Sequence, residues 1–169
     1  MRTAIPQTAR PWCTPWSARI WRLPRRRTEH RARSILREVL ARAGVPDARS
    51  AELELVAAEL AANGVRHARP PYELRVLFAG STRHPVWCEL ADSAPSLGRV
   101  PELLGAPSGP GPGGDRDALI ATLALGGRGL ALVHGLTAGR CAAYPTITCT
   151  APGLGKAVGF SLLEPPGVR

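Results

Sequence analysis

Apolar residues recur every three or four positions in two stretches of the chain, and this spacing predicts two amphipathic helices. The first helix is predicted over residues 27–43, where the Gly-Val-Pro sequence that follows is a typical stop signal. The second is predicted over residues 47–68, ahead of two consecutive prolines. Asp47 is the expected N-cap of this second helix, with Ser50 as the alternative.

Shorter runs rich in β-branched and aromatic residues predict strands. They cover residues 72–78, 85–92, 140–150 and 156–163, and a short edge strand ending at Pro24 precedes the helices. A glycine loop that opens a further helix is predicted over 126–136, and 117–125 has the pattern of a short helical turn. This order of elements predicts an α/β (α+β) two-layer sandwich, with the helices on one face of a mixed, mostly antiparallel sheet.

Three polar side chains, Glu59, Asn63 and His67, share the predicted apolar face of the second helix. At about 100° per residue they fall within roughly 80° of one another, on the arc that carries Leu53 and Leu60. Burying an unpaired carboxylate is costly, so this arrangement suggests a partner such as a ligand-bound divalent ion. The alternative is that Glu59 and Asn63 lie half-solvated at the rim of the stripe and that His67 only ends the helix.

The length and composition of the chain indicate one domain. Its 169 residues, 44% of them hydrophobic and 21% charged, suffice for a single core. We expect a disordered basic tail over residues 1–16 and a single domain over 17–165. The surplus of glycine and proline is concentrated in the segment 93–116, which we interpret as a lid loop.

The net charge of +9 suggests a nucleic-acid partner, but the distribution of charge argues against one. Residues 1–33 hold nine arginines and one glutamate, whereas the remaining 13 basic and 12 acidic side chains give a net charge of +1. Nucleic acid is therefore disfavoured as a partner. Binding through the basic segment 1–33 remains a third hypothesis, and it predicts a steep dependence on salt.

The cysteine pattern and the hydropathy of the chain indicate its cellular compartment. The four cysteines form no C-x-x-C pair and have no histidine at metal-ligand spacing, which is typical of free thiols in a reducing cytoplasm. No run of about 18 apolar residues is present, so neither a membrane span nor a signal peptide is expected. We therefore expect a cytoplasmic protein without a membrane partner.

Glycines at the predicted start of the later helix have the chemistry of a phosphate site. Residues 127–130, Gly-Arg-Gly-Leu, would let backbone amides and the helix dipole approach an anion. They do not form a dinucleotide fingerprint, because Leu132 stands where its third glycine is needed. Lys156, the single lysine, is followed by Ala157 and so does not complete a Walker loop. Taken alone, residues 126–129 fit a flexible loop equally well.

The order of these motifs resembles the GHKL ATP-binding superfamily of gyrase, heat-shock chaperone, histidine-kinase and mismatch-repair ATPases. The motifs are Glu-Leu-Ala-Ala-Asn-Gly-Val-Arg-His-Ala from Glu59, a strand ending at Asp92, a lid, and Gly-Gly-Arg-Gly-Leu-Ala-Leu-Val from Gly126. The closer likeness is to the small single-domain anti-sigma factor serine kinases and their actinobacterial relatives, and it covers residues 17–163. It implies the Bergerat ATP-binding fold with ATP and Mg²⁺ as cofactors.

The resemblance also implies a role for each site residue. Glu59 would be the general base, Asn63 would hold the Mg²⁺ that bridges the phosphates, and Asp92 would accept a hydrogen bond from the adenine amino group. The amides of Gly127, Arg128, Gly129 and Leu130 would offset phosphoryl charge. The Arg128 side chain adds a cation or points to solvent, Lys156 is a candidate phosphate ligand, and His67 is structural.

By this resemblance the leading hypothesis is a protein serine/threonine kinase that phosphorylates a small antagonist protein and regulates transcription. Its partners would be the anti-sigma antagonist, a sigma factor, or both. The sequence leaves the oligomeric state open, and a homodimer is one option because relatives commonly dimerise. The chain departs from the family pattern at Ala94 and Pro95, where a glycine motif would follow Asp92, and at Gly64, where alanine is usual. The alternative is therefore a catalytically weak or inactive nucleotide-binding module that sequesters a transcription regulator.

Overall fold

Four helices pack on one face of a five-stranded sheet within residues 16–79, 84–105 and 129–163, the part of the chain that the computed structural model describes. The helices are α1 (Thr28–Arg42), α2 (Asp47–His67), α3 (Val100–Gly105) and α4 (Gly129–Leu136). The strands are β1 (Trp16–Leu23), β2 (Tyr72–Ala79), β3 (Pro85–Asp92), β4 (Cys141–Thr148) and β5 (Gly153–Ser161). The predicted α+β sandwich is confirmed.

The strand order is β1-β2-β3-β5-β4. Every pairing in this sheet is antiparallel, so the mixed sheet that we allowed for is not found among the described strands. β3 and β5 are neighbours although α3 and α4 lie between them in the chain. In their register Asp92 lies opposite Lys156, which brings the end of β3 next to the start of β5.

The two predicted long helices are confirmed, but the predicted cap of the second is wrong. Pro46 occupies the N-cap position of α2, and Asp47 is the first helical residue, where its charge favours the helix dipole. Ser50 does not cap the helix either, since its hydroxyl donates a hydrogen bond of 3.1 Å to Glu54. Pro46 has the extended backbone conformation (φ −58°, ψ 144°) that is usual at an N-cap, but it has no side chain that can cap the helix.

The core forms between the helices and the inner face of the sheet. On β2 the alternate side chains of Tyr72, Leu74 and Val76 are almost fully buried against this layer, as a period of two requires. Helices α1 and α2 contribute their apolar stripes, for example Leu36 and Leu53, which have no exposed surface. This packing fixes the position of α2 over β3, and therefore the position of the polar residues on its final turns.

The outer face of the sheet carries a buried ionic network. The Arg75 guanidinium donates to Glu73 at 2.7 Å and to Glu89 at 3.2 Å, and all three side chains are less than a tenth exposed. Backbone amides of Cys149 and Thr150, in the β4–β5 turn, donate to the second oxygen of Glu73 at 2.8 and 2.6 Å. The β4–β5 hairpin is therefore hydrogen-bonded to β2 across the outer face.

Two predicted segments are only partly covered. The predicted lid, 93–116, contains the short helix α3 at 100–105, and its later residues lie outside the described part of the chain, as does the predicted helical turn at 117–125. The tail is covered only at Trp16, the first residue of β1. Among the residues that were searched, no helix is long and apolar enough to cross a membrane.

Candidate functional site

A cavity of about 560 Å³ opens between the last turns of α2, the ends of β3 and β5, and the segment that leads into α3. Asn63, Asp92, Leu130 and Lys156, four of the residues proposed from the sequence, line it. They come from four different elements, so the fold rather than local sequence brings them together. The size of the cavity falls within the usual range for small-molecule sites.

Glu59 and Gly129 meet at Asn63, which lines this cavity together with Leu130, the residue after Gly129. A Cβ atom placed on Gly129 would lie 2.6 Å from Glu59 Oε2 and 3.2 Å from Asn63 Nδ2. The N-terminus of α4 therefore lies directly against the polar turns of α2, about 65 residues away in sequence. Glycine allows this approach with the carboxylate in place, because a larger residue would displace the carboxylate.

The amide of Asn63 is incompletely satisfied. Its Nδ2 is buried without a hydrogen-bond partner, and its Oδ1 accepts one long bond of 3.4 Å from Arg66. The Glu59 carboxylate makes no hydrogen bond to any described residue, and both side chains are half-buried. The rim position proposed as the alternative describes their burial correctly. A buried amide without a partner is costly, however, and is typical of a site that is completed by a ligand.

The cavity lining also carries an ion pair. Lys156 Nζ lies 2.8 Å from Asp92 Oδ1, and the two side chains are only 9% and 4% exposed. The backbone amide of Ala94 donates to the same oxygen at 2.9 Å. Burial raises the pKa of Asp92 above its ordinary value, although the hydrogen bonds from Lys156 and Ala94 oppose that rise.

Apolar side chains also line the cavity. Leu60, Leu90 and Val158 face the cavity, and Gly64 makes room for Leu90, since a Cβ at Gly64 would lie 2.6 Å from its Cδ2. Sequence reasoning treated Gly64 only as a weakness of the helix and did not select the three apolar residues. Their spacing marks them as buried, but burial alone does not distinguish a cavity wall from a core contact.

The structure places the remaining predicted residues as follows. His67 is the last residue of α2, is exposed, and contributes to the cavity lining, and its structural role stays a prediction. Gly127 and Arg128 lie outside the described residues. Lys156 lies with Asp92, its ion-pair partner, and both residues line the cavity.

These residues fit a nucleotide with its metal. Mg²⁺ usually takes one or two protein oxygens and completes its shell with phosphate oxygens and water. The amide oxygen of Asn63 would supply such a ligand after a 180° flip of the side chain, which exchanges its oxygen and nitrogen at the buried position. No cluster of three or more His, Cys, Asp or Glu side chains suited to a metal occurs among the searched residues.

Comparison with protein families gives an independent assignment. Residues 21–140 match a family model described as a histidine kinase-like ATPase domain. The match covers more than half of the chain, from β1 to the residue before β4, and it includes both α2 and the start of α4. β5, which carries Lys156, follows the matched segment. None of the curated proteins compared with the chain matches it.

Proposed function

Since the chain belongs to the histidine kinase-like ATPase domain family, we propose that it binds Mg-ATP in this cavity and transfers the γ-phosphoryl group to a serine or threonine of a small antagonist protein. Membership of this family supports ATP binding and a regulatory function for the chain. The contact of Gly129 with Glu59 and Asn63 is the single observation that supports the transfer step.

The proposed nucleotide lies along the length of the cavity. Its base lies against Leu90 and Val158 near Asp92, and its phosphates lie where the amides at the start of α4 meet Asn63. Bound Mg²⁺ would neutralise charge on the phosphates, as metal ions do in phosphoryl transfer generally. Asn63 would hold the ion and orient the γ-phosphate toward Glu59.

Glu59 would act as the general base. Its carboxylate is half-buried, is free of other hydrogen bonds among the described residues, and borders the N-terminus of α4. In the proposed step the substrate hydroxyl oxygen attacks the γ-phosphorus, and the bond from that phosphorus to the β–γ bridging oxygen breaks. The hydroxyl proton passes to Glu59, and ADP leaves with the bridging oxygen. The phosphate ester on the partner is the product.

A binding module without phosphoryl transfer is the second candidate. Asp92 already pairs with Lys156, and Ala94 stands where relatives have glycine, so the base end of the cavity differs from the family pattern. In this case the nucleotide would control an interaction with a sigma factor or its antagonist. Binding of Mg-ATP would then persist without formation of a phosphate ester.

A two-part experiment tests these proposals. Calorimetry with Mg-ATP on the full chain should show binding that Asn63→Ala weakens at least about tenfold, the effect of losing one charge-assisted contact. Incubation with γ-labelled ATP and the antagonist encoded by a neighbouring gene should then yield phosphoserine or phosphothreonine.

Glu59→Gln should abolish transfer while leaving ATP binding intact. Glu38→Gln, on the exposed side of α1, is the matched control and should behave as wild type. Binding with no phosphate ester in the wild type would select the second candidate. Absence of any ATP binding would contradict both.

A further inference from the structure

Lys156 and Asp92 form a deeply buried ion pair that lines the cavity. The ammonium and the carboxylate are 2.8 Å apart, and both side chains are less than a tenth exposed. They lie on directly opposed positions of β5 and β3, so the sheet register fixes them side by side. A Cβ at Gly155 would lie 1.9 Å from the Asp92 carbonyl oxygen, which shows how closely the two strands approach at this point.

Hydrogen-bonding capacity remains on both partners. Asp92 Oδ1 accepts from Lys156 and from the Ala94 amide, whereas Oδ2 has no partner among the described residues. Lys156 uses one of its three N–H groups on Asp92. Both residues line the cavity. The base end of the cavity therefore presents an unused acceptor and an unused charged donor next to each other.

We propose that Lys156 is a specificity-determining residue that donates a hydrogen bond to the N1 ring acceptor of adenine, while Asp92 Oδ2 accepts from the adjacent 6-amino group. The inference rests on the proposed binding of ATP in this cavity. On the adenine edge a donor, the 6-amino group, adjoins an acceptor, N1. A neighbouring carboxylate and ammonium match that pair of groups in a way that a carboxylate alone does not.

The position of Lys156 argues against a role at the phosphates. The lysine is paired with the buried carboxylate of Asp92, whereas the N-terminus of α4, where the phosphates are proposed to bind, lies against Glu59 and Asn63. Because the ion pair is neutral as a whole, it does not attract phosphate to the base end. The charge on Lys156 instead strengthens a hydrogen bond to a neutral ring nitrogen.

Two nucleotide analogues test the inference on the unmodified protein. In 1-deazaadenosine triphosphate a C–H group replaces N1, and purine riboside triphosphate lacks the 6-amino group. Calorimetry should show the 1-deaza analogue binding about tenfold or more weakly than ATP, the effect expected for one charge-assisted hydrogen bond. Equal affinity of the wild type for ATP and for the 1-deaza analogue would overturn the inference and leave the proposed function intact.

The variant Lys156→Met tests whether Lys156 is the group that donates the hydrogen bond to N1. This variant should bind ATP and the 1-deaza analogue with equal affinity, yet still discriminate against purine riboside triphosphate through Asp92. If it instead weakens ATP and the 1-deaza analogue by the same factor, Lys156 only positions Asp92 and the inference is wrong. Thermal unfolding checks that the variant is folded, and if it is not, the analogue comparison on the wild type decides alone. Failure of the wild type to bind ATP at all would instead contradict the proposed function.

Discussion

Gly129 has two properties on which the proposed site depends. It is the first residue of α4, where a free amide can face an anion, and it leaves space for the Glu59 carboxylate. The atom that a methyl group would meet is the far end of a flexible side chain rather than backbone. A substitution at Gly129 can therefore be accommodated by rotation of Glu59, which would change the site without unfolding the protein.

Gly129→Ala should separate catalysis from stability. We expect phosphoryl transfer to fall about 100-fold, because the displaced carboxylate no longer faces the reacting hydroxyl. The unfolding temperature should stay at or slightly above the wild-type value, since alanine is a better helix former than glycine. Transfer rates and thermal unfolding measure the two effects. A matched loss of activity and stability would contradict this separation.

Among the strands, β5 depends most on its glycines. Gly155 approaches the backbone of Asp92, and Gly159 lies beneath the indole of Trp87, where a Cβ would be 2.4 Å from the ring nitrogen. Gly153, at the start of the same strand, has nothing closer than 3.9 Å to the position of such an atom. The three glycines of β5 therefore differ in how much space a side chain would have, although the sequence does not distinguish them.

Gly155→Ala should destabilise the protein by about 3 kcal/mol, because the added methyl would press on backbone that cannot rotate away. Gly153→Ala is the matched control and should change the free energy of unfolding by less than about 0.5 kcal/mol. Urea denaturation of both variants measures the difference. Equal stabilities would show that β3 and β5 separate more easily than their register indicates.

Hydrophobic spacing predicted most elements well, because each helix and strand buries a regular set of its own residues. The bounds of α1, α2, β2 and β3 agree with the predicted ones to within about one residue, inside the usual scatter of helix and strand assignment. Helix α3 was not predicted, since six residues are too few to show a period. The N-cap of α2 was missed because proline replaced the usual capping side chain.

The candidate site could be predicted only in part. The motif of Glu59 and Asn63 and the later glycine segment are visible in sequence, and a family resemblance implied that they meet. The pairing of Lys156 with Asp92 was not predicted, since it depends on which residues of β3 and β5 are opposed. Strand register across a long connection leaves no local signal, so only the folded sheet reveals that contact.

For the domain as a unit, the outer-face network formed by Glu73, Arg75 and Glu89 links stability to pH. Burial raises the pKa of Glu73, but hydrogen bonds from Thr150, Cys149 and Arg75 outweigh it, and the pKa lies below its ordinary value. Ionised Glu73 therefore stabilises the fold above that ordinary value, about 4.5. This stability is lost as the pH falls through the lowered folded-state pKa.

Glu73→Gln should lower the free energy of unfolding by about 3 kcal/mol at neutral pH, the lower end of the cost of breaking a buried ion pair, because Glu89 still faces Arg75. The variant should also lose less stability than the wild type on acidification below about pH 4.5. Glu102→Gln, in an ion pair with Arg99 that is exposed on both sides, is the control and should cost under about 0.5 kcal/mol. Parallel pH profiles of Glu73→Gln and wild type would refute the assignment.

Most of the positive charge lies on the folded part of the N-terminal region rather than on the tail. Residues 1–15 contain only two arginines, whereas residues 16–42 contain nine arginines and two glutamates. Removal of residues 1–33 would therefore delete β1 and the start of α1. Substitution of exposed arginines is the better test of the nucleic-acid hypothesis.

Arg25→Gln combined with Arg26→Gln should weaken retention on immobilised DNA at low salt and leave Mg-ATP binding unchanged. Retention of the wild type should vanish near about 0.15 M salt, because a few exposed charges give only counterion-driven binding. Elution across a salt gradient measures both proteins. Retention that survives higher salt and depends on DNA sequence would establish nucleic acid as a partner.

Trp87 gives the domain a natural optical probe. Its indole N–H donates to Glu89 and to Tyr144, and its ring packs on Gly159 of β5, the strand whose opposite side carries Lys156 toward the cavity. Intrinsic fluorescence depends on the polarity and hydrogen bonding around an indole. If occupancy of the cavity shifts β5, the emission of Trp87 should change, and unlabelled nucleotides could then be titrated against the protein.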